Sequence, residues 1–445
     1  MSSTARADAA TRATPAERPA PGDAGPPAGW SRTFSSLSNR NFRLLWLSMI
    51  ASFAGLHMSF TTQGYLTYQL TGTATSLGLV GLGFGLPQLA FSLIGGVAAD
   101  RLHKRWLMIA SHCAMAIGAI TTAVLIQTGQ IEVWQVFLLA LVTGTVFAFN
   151  VPARQAWIPE LVNQEQLMNA IALNSSAFTA MSIVGPGLAG ALIAVPFIGL
   201  TGSYYLMAGC YLLVVLMLLR IPGGSPATDR EHAPPHQAML DGLGYVRHHP
   251  ILPFLIVIGF VPIVLGMPFR QFFPVFADEI YGVGSVGLGA MGMATGLGAL
   301  VGSLWVASLA STSRRSLIQL CGGVGFGVTL VLFAVAPSFW PGIVALAFVG
   351  LMSNGYWALN STMVLGNSNP VYYGRVQSVY MLSWSIQPFL GLPLGQLADL
   401  WGVQRTVAMT GVLVVLGVAS AAAFLPGFRR LREQETSHRV ALEAR

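Results

Sequence analysis

The sequence predicts an all-α integral membrane protein with twelve transmembrane helices in two pseudo-symmetric six-helix bundles. Three observations carry this expectation. The chain of 445 residues is 54% hydrophobic and only 9% charged, with a mean hydropathy of +0.64. A soluble domain carries about 25% charged residues, so most of this chain has no aqueous surface to cover. Apolar runs recur at lengths near the roughly 20 residues that a helix needs to cross a bilayer. Finally, the second half of the chain echoes the first.

The expected spans of the first half are 42–64, 76–99, 106–127, 133–150, 171–195 and 201–220. Those of the second half are 251–276, 286–310, 317–336, 340–362, 377–398 and 406–426. Residues 1–38 are expected to be a disordered cytoplasmic tail, and residues 1–30 lack the apolar core of a cleavable secretion signal. Residues 39–221 then form one bundle, 222–249 a cytoplasmic linker, 250–428 the second bundle and 429–445 a cytoplasmic tail.

Arginine and lysine favour cytoplasmic loops, which sets the orientation. With the N-terminus inside, the inner loops hold Arg101, Lys104 and Arg105, then Arg154, then Arg220, Arg230 and Arg247. Arg314, Arg315, Arg375, Arg429, Arg430 and Arg432 continue the series. The opposite loops hold Arg405 and the acids Glu132, Asp278, Glu279 and Asp399, with Arg270 near that side. Both termini are therefore expected in the cytoplasm, with the chain in the cell membrane.

The halves repeat at a nearly constant offset, as parallel repeats do. Ser76–Leu79 recurs at Ser285–Leu288, and Lys104-Arg105 recurs as Arg314-Arg315. Gly144 matches Gly350, and Pro186 matches Pro393. Two repeated bundles place a pathway at the interface between them.

Several chemistries are not supported. Cys113, Cys210 and Cys321 form no C-x-x-C, so neither a disulfide framework nor a zinc site is indicated. Glycine strings at Gly185–Gly190, Gly282–Gly287 and Gly287–Gly292 match G-x-G-x-x-G, but none follows a strand. They read as small-residue helix contacts and a loop rather than nucleotide sites. Lys104 is the only lysine, and it follows His103, so there is no Walker A sequence. No nucleophile elbow or H-E-x-x-H occurs. His232, His236, His248 and His249 sit in a Pro-rich polar linker and read as solvated rather than metal-binding. The net charge of +7 lies in short clusters between apolar runs, which does not suit nucleic acid. No enzyme activity, cofactor or metal is expected.

After the second expected span the chain reads Gly96-Val-Ala-Ala-Asp100-Arg101-Leu-His103-Lys104-Arg105. This resembles the G-x-x-x-D-R-x-G-x-R-R signature of the major facilitator superfamily, shortened by one residue and with His103 at a usual glycine. The resemblance implies the major facilitator fold and a conformational lock built from Gly96, Asp100, Arg101, Lys104 and Arg105. Gly96 would let neighbouring helices approach, and Asp100 would cap or pair at a helix end. A second segment, Pro152-Ala153-Arg154 through Trp157-Ile158-Pro159-Glu160, followed by Asn169-Ala170, resembles the enterobactin-exporter and multidrug-exporter branch. Asn150 stands where that branch often has Asp, and Gly242–Pro250 also fits it. Pro152, Arg154 and Pro159 are expected in a cytoplasmic loop. Gly185-Pro186-Gly187 with Gly190 resembles an antiporter element, with Ala189 at a usual glycine. Its alternative reading is a helix bent where it packs.

Polar groups inside membrane helices take pathway or packing roles. His57 and Thr61 share one helix face, being four residues apart. Asn354, Trp357 and Ser361 form such a stripe, joined by Asn360, as do Gln377, Tyr380, Trp384 and Gln387. Gln88 and Asn174 add single groups. In the superfamily, spans 1, 4, 7 and 10 line the cavity, which singles out His57, Thr61, Arg270, Gln271, Asn354 and Trp357. The alternative for each is interhelical hydrogen bonding, which contributes about 0.6 kcal/mol on average. Arg270 is either a substrate or gating contact, or a cation that snorkels or pairs at the rim with Asp278 and Glu279. No Asp or Glu lies mid-span, where a desolvated acid would exchange a proton for a cationic substrate. A neutral or anionic substrate is therefore expected, and His57, His112, Asp100 or the rim acids would carry any coupling proton.

The resulting expectation is a monomeric, proton-coupled exporter of a small amphipathic siderophore, antibiotic or related metabolite, working by alternating access. The alternatives are an uptake symporter of the same fold, and a membrane sensor or scaffold that moves nothing.

Overall fold

The computed structural model describes residues 34–222, 235–308, 315–369 and 372–443, and every regular element among them is helical. Six spans make the first half: Arg40–Thr71, Ala74–Arg101, Lys104–Gln127, Val133–Leu161, Leu167–Ala194 and Gly199–Leu219. The second half holds Leu252–Ile280, Gly284–Ser308, Arg315–Ala334, Phe339–Gly366, a segmented span over 373–401, and Val403–Phe424. These are spans 1 to 12 below. The end where odd-numbered spans begin carries the basic connections and is called the basic end; the other is the acidic end.

Eleven helices among the described residues are long and apolar enough to cross a membrane unaided. The twelfth span is interrupted. Its helices Tyr373–Ile386 and Gly391–Trp401 are joined by a tight turn of helix at Gln387–Leu390. Pro388 lacks the N–H that would continue the regular ladder there. Span 7 is irregular for the same reason. Pro262, Pro268 and Pro274 divide it into short pieces of differing pitch, with Arg270 in the tight piece Met267–Phe272. Irregular backbone is tolerated at membrane depth only where protein or a watery recess surrounds it.

Three expected boundaries change. Span 4 continues to Leu161 through Pro152 and Pro159, so the supposed loop motif is helix and Arg154 is buried in it. The expected C-terminal tail is helical over Pro426–Glu443, and Leu431 is buried against the second half. Ser35–Ser38, expected in a disordered tail, forms a helical turn whose Ser36 hydroxyl donates to Asn169 Oδ1 at 2.6 Å. The linker contributes a helix, Pro235–His248, packed on span 11 with Tyr245 stacked at 4.2 Å on Tyr372.

The repeat reappears as geometry. Lipid offers no hydrophobic drive for helices to associate, so small residues that let backbones touch decide the packing. Span 2 meets span 11, and span 8 meets span 5, through matched glycines. A Cβ on Gly78 would strike the Gly391 carbonyl, and one on Gly289 the Pro186 carbonyl. Gly395 faces the Ala74 carbonyl as Gly190 faces that of Ser285. Inside each half, Gly144 of span 4 abuts the Phe84 carbonyl, and Gly350 of span 10 abuts that of Thr295. The discounted glycine strings around Gly185 and Gly287 are thus largely helix contacts, as read.

Polar contacts tie the halves together at the acidic end. Asp399, closing span 11, accepts from the Ala74 and Thr75 amides at 2.7 and 2.9 Å and from the Thr75 hydroxyl at 2.5 Å. A carboxylate at a helix N-terminus is stabilised by the unpaired amides and the helix dipole. Tyr68 donates to Glu279 at 2.9 Å and Gln69 to Asp278 at 2.6 Å. Span 1 ends there at Gly72, whose φ of 62° permits the tight turn into span 2. At the basic end, the Lys104–Glu160 pair at 2.9 Å stays within the first half.

Overpacking at a backbone contact destabilises by about 1–3 kcal/mol. Gly144→Ala and Gly350→Ala are each expected to lower the thermal unfolding midpoint in detergent. Gly209→Ala, which meets open space, is expected to leave it unchanged.

Candidate functional site

Side chains of spans 1, 5 and 7 gather where the halves face one another, a place called the recess below. His57 on span 1 packs its Cβ against Gly185 of span 5, and its ring lies 5.1 Å from Phe178 and 6.4 Å from Phe60. Phe60 and Phe178 are each 42% exposed. Arg270 of span 7 is also exposed and lies within electrostatic reach of His57. A guanidinium does not face hydrocarbon, so its exposed surface opens to an aqueous interior.

Of the alternatives for Arg270, the ion pair with the rim acids does not form among the described residues. Asp278 and Glu279 are engaged by Gln69 and Tyr68 of span 1, and no carboxylate among the described residues pairs with Arg270. Gln271 is wedged between Gly81 of span 2 and Gly391 of span 11, with its Oε1 unbonded. His57 Nε2 and Asn174 Oδ1 are likewise without hydrogen-bond partners. Thr61 bonds back to the His57 carbonyl at 3.3 Å. Gln88 is half-buried on span 2.

The C-terminal stripes divide. Asn354 donates to the Ala299 carbonyl at 2.9 Å and to Ser303 at 2.6 Å, pinning span 10 to span 8. Tyr380 is 1% exposed and accepts from Asn360 at 3.2 Å, while Asn360 also donates to the Leu255 carbonyl at 3.1 Å. These are packing bonds, and neither residue belongs to the recess. Trp357 and Trp384 meet edge to face at 6.1 Å, half-buried, with both indole N–H groups unpaired.

The sequence reading missed the aromatic wall. Phe147, Phe84 and Phe60 follow one another at 5.7 and 5.3 Å, and Phe178 continues to Phe53 at 5.2 Å. Phenylalanine in a membrane helix carries no signal that separates a lining role from lipid contact. Such a wall offers stacking and apolar contact, while Arg270 offers charge-assisted hydrogen bonds to an anion or oxygen-rich group.

The lock motif is partly assembled. Lys104 is buried and paired with Glu160, and Arg105 donates to the Leu219 carbonyl at 2.7 Å. Arg101 is exposed. Gly96 is not the contact it was expected to be, because a Cβ there meets nothing; its neighbour Gly95 lies against the Ala148 carbonyl. Asp100 lies in the last turn of span 2, but its side chain and all of Arg314 lie outside the described residues, as do Arg230 and His232. Pro186 and Gly190 form the span 5 side of the seam with span 8, while Gly185 faces His57 of span 1. A cleft of about 570 Å³ beneath the linker helix is lined by Asp241, Tyr245, Tyr372 and Arg375 among others. Its charged groups Asp241 and Arg375 pair with each other at 3.5 Å.

Comparison with known proteins agrees with this architecture. A family model described as transmembrane secretion effector matches residues 31–443. The chain is 27% identical over 365 residues to the enterobactin exporter EntS of Shigella boydii serotype 18 and to that of Escherichia coli O139:H28. Each alignment covers 80% of this chain and 82% of the relative. The crystal structure of a bacterial homolog of the human lysosomal transporter Spinster superposes with a TM-score of 0.70 at 13% identity, covering 92% of this chain and 99% of that one. The nucleoside transporter NupG gives 0.65 at 15% identity, covering 86% and 98%.

Arg270→Gln is expected to weaken binding of an anionic compound about ten-fold, the effect of losing about 1.4 kcal/mol of charge-assisted hydrogen bonding. Isothermal titration calorimetry of the purified protein would report it. Asn354→Ala is expected to lower thermal stability and leave that binding unchanged. With twelve spans, a duplicated half, matched glycine seams and a family match over nearly its whole length, the chain belongs to the transmembrane secretion effector family of major facilitator transporters.

Proposed function

We propose that this transporter is a proton-driven exporter of small amphipathic molecules, neutral or anionic, of the siderophore or antibiotic type. It acts as a monomer in the cell membrane, with its basic end and both termini in the cytoplasm. The observation that carries the substrate class is Arg270, exposed in the recess beside an aromatic wall and paired with no carboxylate among the described residues. The relatives named enterobactin exporters support export rather than uptake. In this reading substrate enters from the basic end, the halves rock, and the seams at the acidic end part. Asp399 then leaves the N-terminus of span 2, exposing the Ala74 and Thr75 amides to water. His57, with Nε2 unbonded in the recess, supplies a group able to carry the coupling proton.

Flux in proteoliposomes tests this directly. Enterobactin is expected to move out of the compartment facing the basic end, faster when a pH gradient is imposed, while a permanent cation is not moved. Gradient-independent flux would remove proton coupling, and flux of the cation alone would remove the substrate class. Two variants address the cycle. Asp100→Asn is expected to slow flux several-fold without loss of folded protein in the membrane. Asp399→Ala, which removes three hydrogen bonds at the acidic seam, is expected to raise labelling of a cysteine placed in the recess by a reagent added from the acidic end.

A further inference from the structure

Beyond the aromatic wall, inside the first half, span 4 carries a second cation. Arg154 is only 8% exposed, yet no carboxylate among the described residues pairs with it. Its guanidinium lies 4.6 Å over the Phe53 ring and reaches Asn150 Oδ1 at 3.5 Å, the outer limit of a hydrogen bond. The Nε–H has no partner. Arginine keeps its proton in proteins, so it cannot escape this burial by becoming neutral. A buried ion without a counter-charge is among the most destabilising features that a fold can hold.

The groups around it are also donors short of acceptors. Asn150 turns its carbonyl oxygen to Arg154, and its amide Nδ2 is buried and unbonded. The Tyr211 hydroxyl is buried and unbonded. His112 does not supply what is missing. Its Nδ1 lies 2.8 Å from the Met108 carbonyl, which can only accept, so the proton sits on Nδ1. Its Nε2, 2.8 Å from Ser52 Oγ, is then the acceptor of the Ser52 hydroxyl proton. Both the imidazole and the serine proton are consumed. Three donors and one full positive charge remain.

All three of these residues, with Ser52, Phe53 and His112, line one pocket of about 30 Å³ between spans 1, 3, 4 and 6. A void holds one water for each roughly 10–15 Å³ of such space, so this one admits about two or three water-sized particles. A siderophore or a phosphate does not fit. A water would satisfy the donors and leave the charge uncompensated. A monatomic anion satisfies both. We propose that this pocket is a binding site for a small monovalent anion of chloride size, held by Arg154, Asn150 and the Tyr211 hydroxyl, and serving as the counter-ion of the first half. This assignment is independent of what the protein transports.

The test is thermal unfolding of the purified full-length protein, in chloride against gluconate at matched ionic strength. Binding to the folded state alone raises the unfolding midpoint with ligand concentration. For the wild type, an increase of about 3 °C is expected as chloride rises from about 1 to about 100 mM, with none in gluconate. Asn150→Asp places a carboxylate one helical turn from Arg154 and supplies the counter-ion covalently. It is expected to unfold at a higher temperature than the wild type in gluconate, and to respond to chloride by less than a third as much. Arg154→Gln, checked for a single gel-filtration peak, is expected to be equally unresponsive. If it does not fold, the comparison of wild type with Asn150→Asp decides alone. A wild type that behaves identically in the two salts overturns the proposal, meaning that water alone fills the pocket. So does an Asn150→Asp protein with an undiminished chloride response.

Discussion

The structure depends on backbone touching backbone. At four places across the two seams, a glycine of one half sits against a carbonyl of the other: Gly78 on Gly391, Gly395 on Ala74, Gly289 on Pro186 and Gly190 on Ser285. Side chains at these positions would hold the halves apart and remove the dispersion contacts that replace hydrophobic burial in lipid. The same contacts are suited to coming apart. They interlock no long side chains, so separating them breaks few directional bonds. What holds the acidic end shut is added locally, by Asp399 on the span 2 amides and by Tyr68 and Gln69 on Glu279 and Asp278.

That division of labour explains the duplication. Because the seam contacts recur in pairs related by the repeat, each half presents one glycine-lined helix start and one proline-bearing helix to its partner. Pro186 lies in span 5 where it meets Gly292 of span 8, and Pro388 lies in the tight turn of span 11 where it meets Gly85 of span 2. A proline costs a helix one hydrogen bond, which the partner's proximity and the dry surroundings tolerate only at such a crossing. The antiporter-like element of span 5 packs through Pro186 and Gly190 against span 8.

Much of this was legible in the chain. Apolar runs marked the spans, although the broken span 11 is not long and apolar enough by itself, and constant spacing pointed to the repeat. Boundaries failed where polar residues are buried in protein rather than exposed. Asn150 and Arg154 looked like the end of span 4, yet they lie inside the bundle against Phe53 and Ser52, facing no water. Gly96 and Gly95 are adjacent, and only three-dimensional packing shows which meets span 4. For the recess, His57, Arg270 and Gln271 were readable as polar groups at helical depth. Asn354 and Tyr380 were equally conspicuous and proved to be fasteners, since a stripe at helical spacing does not say whether it faces a neighbour or a cavity. The phenylalanines of the wall were illegible among so many apolar neighbours.

Charge then limits what such a recess can hold. Each half buries or encloses one cation away from its acids, Arg154 in the first and Arg270 in the second, and the expected spans carry no mid-span carboxylate. A unit charge about 10 Å from either, at an effective dielectric of about 20, feels roughly 1.7 kcal/mol. An anion gains that amount from Arg270 and a cation loses it, so one arginine separates the two by about 3.4 kcal/mol, or a few hundred-fold in occupancy. Arg154 would double the bias if it stood bare. With a small anion seated against it, its field largely cancels at that range, and discrimination falls to Arg270 alone. A neutral amphipathic molecule then enters on its contacts with Phe60, Phe178 and Phe84, and an anionic one is held by charge as well. A single unpaired guanidinium set against rings, rather than a carboxylate cage, is what a carrier of both kinds requires: strong enough to orient an oxygen-rich face, and weak enough in wet surroundings to let it go.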